Sequence, residues 1–259
     1  MLVSDLDLMV DTVCSMPDQF GRQQFDEMLR SRSGRDYRKS TCESYFHFPK
    51  KLGLIAKRHG FYSKSHTCQK LCEFLAKKDH DNLTTYLANL IQSREPVFGA
   101  FLDFLNTPRT LREIEDRYPG NPFTPKTLIQ WAKRLGLIRY GDRMKQYYRV
   151  RSSFKPIPKR GFWKALVEEY QRLRRTELVG VRGAYVKIPV LREACSVALG
   201  LKNSAFDDYL RLVLADREYS RKIELSGAPV AFVEREGGRR TVFKYGMRDY
   251  YFIAVRGKD

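Results

Sequence analysis

Apolar residues recur along the chain at helical spacing, in short blocks separated by turn residues. Between Glu95 and Asn106, Val97, Phe98, Phe101, Phe104 and Leu105 form one stripe, which predicts a helix. Thr110-Leu111-Arg112-Glu113 has the spacing of a capping box and opens a short helix to about Tyr118. Pro119-Gly120-Asn121-Pro122 reads as a turn. Thr124 then reads as an N-cap with Pro125 at the first helical position, where proline's missing N–H costs nothing. In that helix Leu128, Ala132 and Leu135 share one face, and Lys126, Gln130, Lys133 and Arg134 fall largely on another. Gly136 stops it, since glycine tolerates the left-handed cap. Leu137-Ile138 begins a strand, a Gly-Asp turn follows, and Lys145 to Val150 returns as its partner.

Part of this pattern occurs earlier in the chain. Lys50-Lys51-Leu52-Gly53-Leu54-Ile55 recurs as Lys133-Arg134-Leu135-Gly136-Leu137-Ile138, an offset of 83 residues. Each copy follows a helical pattern and precedes a basic stretch containing a turn: Ala56 to Tyr62, with Lys57 and Arg58, and Arg139 to Arg143. Repeats of whole units set an architecture. In the first copy Gly21 to Arg30 reads as the second helix, with Phe25 and Leu29 inward. The alignment sets Thr41 under Thr124, Phe48 under Trp131 and Pro49 under Ala132. Proline there is expected to kink or end the helix. The exposed face of that helix is expected to carry Glu43, Ser44, His47, Lys50 and Lys51.

Helix, helix, turn, helix and a basic hairpin resembles the winged-helix superfamily, over roughly 95–151. The resemblance rests on element order and on the Leu-Gly-Leu stop, not on a diagnostic signature. It implies that the third helix enters the DNA major groove and that the hairpin touches backbone or minor groove. Lys126, Thr127, Gln130, Lys133 and Arg134 then face DNA, with Arg139, Arg143 and Lys145 on the wing. In the first copy Lys50, Lys51, Lys57 and Arg58 are the corresponding cations. There Pro49 weighs against base reading and leaves backbone contact.

The expected fold class is α+β, mainly helical, as tandem winged-helix-like modules with linking helices. The first module covers 1–66. Linking helices cover 67–94, from Thr67 to Ala76 and Leu83 to Ser93. The second module covers 95–151, and 152–161 is a basic, proline-containing linker. A C-terminal module with a long hairpin covers 162–259. It opens with an amphipathic helix from Phe162 to about Leu178. A strand at Tyr185–Ile188 comes next, then helices over Val190–Leu199 and from Asn203, with Phe206, Tyr209, Leu210, Val213 and Leu214 at helical spacing. Further strands are expected at Lys222–Leu225, after a hairpin around Glu236–Arg239, and over Tyr250–Val255.

Charge sharpens this picture. The chain carries +18, with 48 Lys+Arg against 30 Asp+Glu, a field that attracts polyanions. Residues 30–64 hold ten Lys/Arg and two acids, and 107–160 hold fourteen and four. The excess of these two windows equals that of the whole chain. Both overlap the third helix and hairpin, where a winged helix meets phosphate.

Candidate chemistry is sparse. His66-x-Cys68-x3-Cys72-x7-His80 has short spacings of zinc-ligand type. Cys68, Leu71, Cys72 and Leu75 also fall at i, i+3, i+4 and i+7, a packing stripe, so no metal is expected. The five cysteines are scattered and odd in number, which suits a reducing cytoplasm better than a disulfide framework. Asp207 and Asp208 lack a third carboxylate at a metal spacing. Tyr147, Tyr148, Tyr250 and Tyr251 offer stacking surfaces, but alternation along a strand puts half of them in the core. No nucleotide loop or nucleophile motif occurs, and no apolar run approaches a membrane span. The expectation is a non-enzymatic, cytoplasmic, nucleoid-associated protein that binds double-stranded DNA without a cofactor. It would serve as a regulator, an initiator or a DNA-sensing part of a defence or mobile-element system. The alternative is an adaptor subunit that docks protein through 162–259, whose charge is near neutral.

Overall fold

The computed structural model describes residues 5–120, 124–150, 156–175, 185–228 and 242–256. The protein is α+β and mainly helical, with small sheets. One order of elements occurs three times. In the first, α1 (Leu6–Ser15) leads to β1 (Gln19–Phe20), α2 (Arg22–Ser33), α3 (Lys39–Lys51), β2 (Ile55–Arg58) and β3 (Phe61–Lys64). Helices α4 (His66–Ala76) and α5 (His80–Arg94) follow. The second runs α6 (Pro96–Phe104), β4 (Arg109–Thr110), α7 (Leu111–Arg117), α8 (Pro125–Arg134), β5 (Ile138–Gly141) and β6 (Gln146–Arg149). The third runs α9 (Lys159–Arg175), β7 (Val186–Lys187), α10 (Ile188–Leu199) and α11 (Asn203–Leu214). A short α12 (Arg217–Ser220) and β8 (Ile223–Ser226) follow. A hairpin of β9 (Phe243–Tyr245) and β10 (Arg248–Tyr250) then precedes β11 (Phe252–Val255). The three-stranded sheets have orders β1-β3-β2, β4-β6-β5 and β7-β11-β8. In each, the short strand that follows the first helix pairs with the last strand.

The chain forms two compact units. One is Met1–Phe104 with Arg112–Ile138, and the other is Leu105–Leu111 with Arg139–Asp259. The helices of the second copy thus belong to the first unit and nearly all of its sheet to the second.

In the first unit the third helices of the two copies are built alike at their C-terminal ends. Gly53 and Gly136 have φ of 74° and 66°. Leu54 N donates to Pro49 O and Leu137 N to Ala132 O, both at 2.8 Å. These bonds satisfy carbonyls that a helix end leaves open, and the left-handed glycine is what lets the chain turn back to make them. Pro49 lies within α3, two residues before its end, and forgoes the one helix hydrogen bond that its missing N–H would have made. The helix runs on to Lys51 instead of ending at the proline, and Ser44, expected on its surface, is buried, its hydroxyl donating to Ser40 O.

Repeat-equivalent residues meet. The rings of Phe48 and Trp131 lie 4.8 Å apart, both fully buried, and Phe98 closes on Trp131 at 5.9 Å. Two crossed ion pairs accompany them. Lys51 of α3 reaches Glu95, just ahead of α6, at 2.8 Å. Arg134 of α8 reaches Asp7 at the start of α1. Each copy's third helix thus gives its last cation to the acid at the start of the other copy's first helix. Glu95 is only 1% exposed, so its charge needs that partner.

Two of the five cysteines, Cys14 of α1 and Cys72 of α4, form a disulfide, which corrects the expectation of thiols alone. They are 58 residues apart in sequence, and only the packing of α1 against α4 brings them together.

In the second unit α9, α10, α11 and the sheet β7-β11-β8 enclose a core containing Phe162, Tyr170, Leu191, Phe206 and Ile253. Ile157, read from sequence as linker, is buried in that core, and its N–H donates to the Tyr209 hydroxyl at 2.8 Å. The segment expected to be one strand over Tyr250–Val255 is two, β10 and β11, divided at Tyr251. Tyr251 is buried and Tyr250 half-buried, the alternation expected of them. The predicted wing around Glu236–Arg239 lies outside the described residues. Among the described residues no helix is long and apolar enough to cross a membrane.

Replacing Phe48 with Ala removes a fully buried ring at the point where the copies meet. Chemical denaturation should show the first unit destabilised by about 3 kcal/mol. A loss below about 1 kcal/mol would mean that the repeat contact is incidental to stability.

Candidate nucleic-acid interface

Helix α8 begins as its sequence dictates. The Thr124 side chain accepts from Thr127 N, and Pro125 takes the first turn. Leu128, Ile129, Trp131, Ala132 and Leu135 are buried. That anchors one face and leaves Lys126, Gln130 and Lys133 exposed at i, i+4 and i+7, with Thr127 half-buried beside them. These side chains form a single stripe able to donate to phosphate and to base edges.

Arg134 is engaged within the protein. Its side chain is half exposed, but its guanidinium is bonded to Asp7. That hydrogen bond raises its pKa further above the ordinary arginine value, against a smaller effect of burial. Arg134 also lines a cavity of about 240 Å³ with Leu6, Val10, Leu83, Leu87 and His80. The structure gives Arg134 a cohesive contact that sequence could not reveal, because Asp7 lies 127 residues away.

Helix α3 places His47 and Lys50 in the stripe that corresponds to Gln130 and Lys133, with half-buried Glu43 where α8 has Lys126. An acid at that corner makes α3 the weaker anion-binding face. Lys51 is committed to Glu95. The hairpin that follows keeps Lys57 and Arg58 exposed. It turns through His59 and Gly60, whose φ of 48° and 88° suit a tight turn of two left-handed residues. Phe61, just past the turn, is 56% exposed. Sequence reading passed over this ring, although an aromatic beside basic turn residues is a recognisable signal.

In the second unit Arg139, Arg143 and Lys145 of the β5–β6 hairpin are exposed, as expected of a wing. The hairpin is also fastened. Its turn offers the N–H groups of Arg143 and Met144 to one carboxylate oxygen of Glu193 on α10, at 2.6 and 3.3 Å. Gly141 makes the approach possible: a Cβ there would stand 3.0 Å from Val197 and 3.2 Å from Glu193. Tyr148 faces inward, its hydroxyl donating to Leu201 O at 3.3 Å, while Tyr147 pairs with Tyr140 at 4.7 Å. Burial raises the pKa of Tyr148.

Helix α11 occupies the place in the third copy that α8 holds in the second. Its Asp207 is turned to buried Arg192 of α10, which donates to it at 2.8 and 3.2 Å. Asp208 pairs with Arg211 on the exposed side, and Leu212 beside them is 56% exposed. That face is charge-compensated and partly apolar.

Comparison of the chain with protein-family models, with curated proteins and with solved structures finds no match.

The fastening of the β5–β6 hairpin is open to direct measurement. Glu193→Ala removes the acceptor of two turn N–H groups, each bond to a charged group being worth about 1.5 kcal/mol or more. Hydrogen exchange at the Arg143 and Met144 amides should accelerate about tenfold, with α9 and α11 unaffected. Unchanged exchange at both amides would show that Glu193 does not hold the turn.

Proposed function

We propose that the protein binds double-stranded DNA through tandem winged-helix modules, with α8 as the principal recognition helix. The observation that carries the reading is the threefold recurrence of one element order with one strand order: helix, strand, helix, helix, strand, strand, the first strand against the last. That order is the one a winged-helix reading expects, and it supports that reading. In two of the three copies the strongly basic windows of the chain overlap the third helix and its hairpin. Lys126, Gln130 and Lys133 read the groove, and Thr127, half-buried near the helix start, contributes its hydroxyl to a neighbouring phosphate. Arg139, Arg143 and Lys145 add phosphate contacts, as do Lys50, Lys57 and Arg58 from the first copy. Lys51 and Arg134 act at one remove, through the ion pairs that hold α3 and α8 in the first unit. Affinity comes mainly from phosphate and sequence preference from α8.

A second reading, for the third copy alone, is favoured by α11. With Asp207 committed to Arg192 and Leu212 exposed, that helix suits a protein partner better than a phosphate backbone. The protein then binds both DNA and a protein partner.

Both charge and helix are tested by titrating a labelled duplex at several salt concentrations. With ~6 phosphates neutralised, affinity should fall about a thousandfold between about 50 and 200 mM salt. Lys126→Ala with Lys133→Ala should weaken binding at least about tenfold more than Lys77→Ala with Lys164→Ala. A flat salt response defeats the DNA reading. Equal losses from the two pairs would reduce the role of α8 to diffuse attraction.

A further inference from the structure

The stripe of α4 that sequence reading set aside as packing meets a third sulfur. Cys68 and Cys72 lie one turn apart on α4, and Cys14 comes from the last turn of α1. The three Sγ atoms all lie within 4.8 Å of one another. Cys14 and Cys72 are joined as a disulfide, and the Cys68 Sγ stands 3.7 Å from that of Cys72. Cys42 and Cys195, by contrast, are buried thiols outside the cluster.

We propose that, when reduced, Cys14, Cys68 and Cys72 together bind one thiophilic d10 metal ion, Zn2+ or Cu+. Two ligands at i and i+4 on one helix face share a metal readily, the spacing used by helical zinc motifs. Two thiolates on a tetrahedral ion with metal–sulfur bonds of about 2.3 Å stand about 3.8 Å apart, close to the separation of Cys68 and Cys72. No carboxylate or imidazole belongs to the cluster among the described residues, and an all-sulfur set selects soft ions over Mg2+ or Ca2+. Cys68 is fully buried, while Cys14 and Cys72 are half-buried. The inner side of the site is thus closed by protein, and its outer side admits a solvent ligand. His66 and His80, which a sequence quartet would enlist, are exposed and not in the cluster.

The disulfide and the metal exclude one another. Binding to the reduced chain releases three thiol protons to solvent. Oxidation by an external disulfide takes two electrons from the thiolates of Cys14 and Cys72 and forms the bond between them. The oxidant leaves as two thiols, Cys68 regains its proton, and the ion departs, with three protons taken up in all. The ion therefore occupies the site only under reducing conditions.

The test uses the full chain, reduced with a phosphine and dialysed without oxygen against Zn2+, Cu+ or Mg2+. One Zn2+ or one Cu+ per chain is expected, with no Mg2+. Oxidised glutathione should then empty the site and leave a Cys14–Cys72 bond detectable by mass spectrometry. Cys68→Ala, which keeps that bond available, should weaken binding at least about a hundredfold, since even groups behind a ligand are worth 10–100-fold. Cys195→Ala should change nothing. The proposal is overturned if the reduced chain holds less than about a tenth of an equivalent of either soft ion. It is also overturned if folded Cys68→Ala binds as the unaltered chain does, or if Mg2+ binds equally. Should Cys68→Ala fail to melt cooperatively, the unaltered chain decides: equal metal content in the reduced and oxidised states overturns the proposal.

Discussion

A buried carboxylate must find a cation, and in the first unit the search crosses from one repeat to the other. Glu95 is enclosed where α5 gives way to α6, and the cation that compensates it is Lys51, from the end of α3. Asp7 and Arg134 make the reciprocal connection from α1 to α8. Between the pairs the Phe48 and Trp131 rings close on each other. Burial of those rings supplies the apolar part of the contact and the ion pairs give it direction, since charges at a partly buried site favour one arrangement over its neighbours. With α3 and α8 held in this way, the Lys126, Gln130 and Lys133 stripe is left facing outward.

The second unit uses a different device for the same end. Its hairpin β5–β6 is pinned by backbone donors to Glu193 and by the bare Cα of Gly141. Helix α11 is tied to α10 by Arg192 and Asp207. The consequence for function is selective: Arg139, Arg143 and Lys145 keep exposed side chains, while Asp207 is withdrawn from the surface.

Local structure was legible in the sequence wherever it depends on neighbours in the chain. The Thr124–Pro125 start of α8, its Gly136 stop, the alternation of Tyr147 and Tyr148, and the helices linking the first two copies all follow from residues within a turn or two. The offset of 83 residues exposed the relation of α3 to α8. What stayed hidden depends on distant partners. Nothing near Arg134 announces Asp7, nothing near Cys72 announces Cys14, and Ile157 reads as linker until Tyr209 and the C-terminal core are placed around it. Pro49 misled for another reason: proline removes one hydrogen bond and crowds the preceding turn, which disfavours a helix without forbidding it, and α3 runs two residues beyond it.

The crossed contacts of the first unit are reciprocal. The aromatic ring of each third helix meets the ring of the other, and its last cation meets an acid at the start of the other copy's first helix. Ring meets ring and cation meets acid in both directions, the reciprocity that a contact between like patches has. The two sides of this contact are alike without being identical: lysine stands on one and arginine on the other, phenylalanine against tryptophan. Halves carried in one chain need not match residue for residue, and here one third helix holds Lys126 where the other holds Glu43.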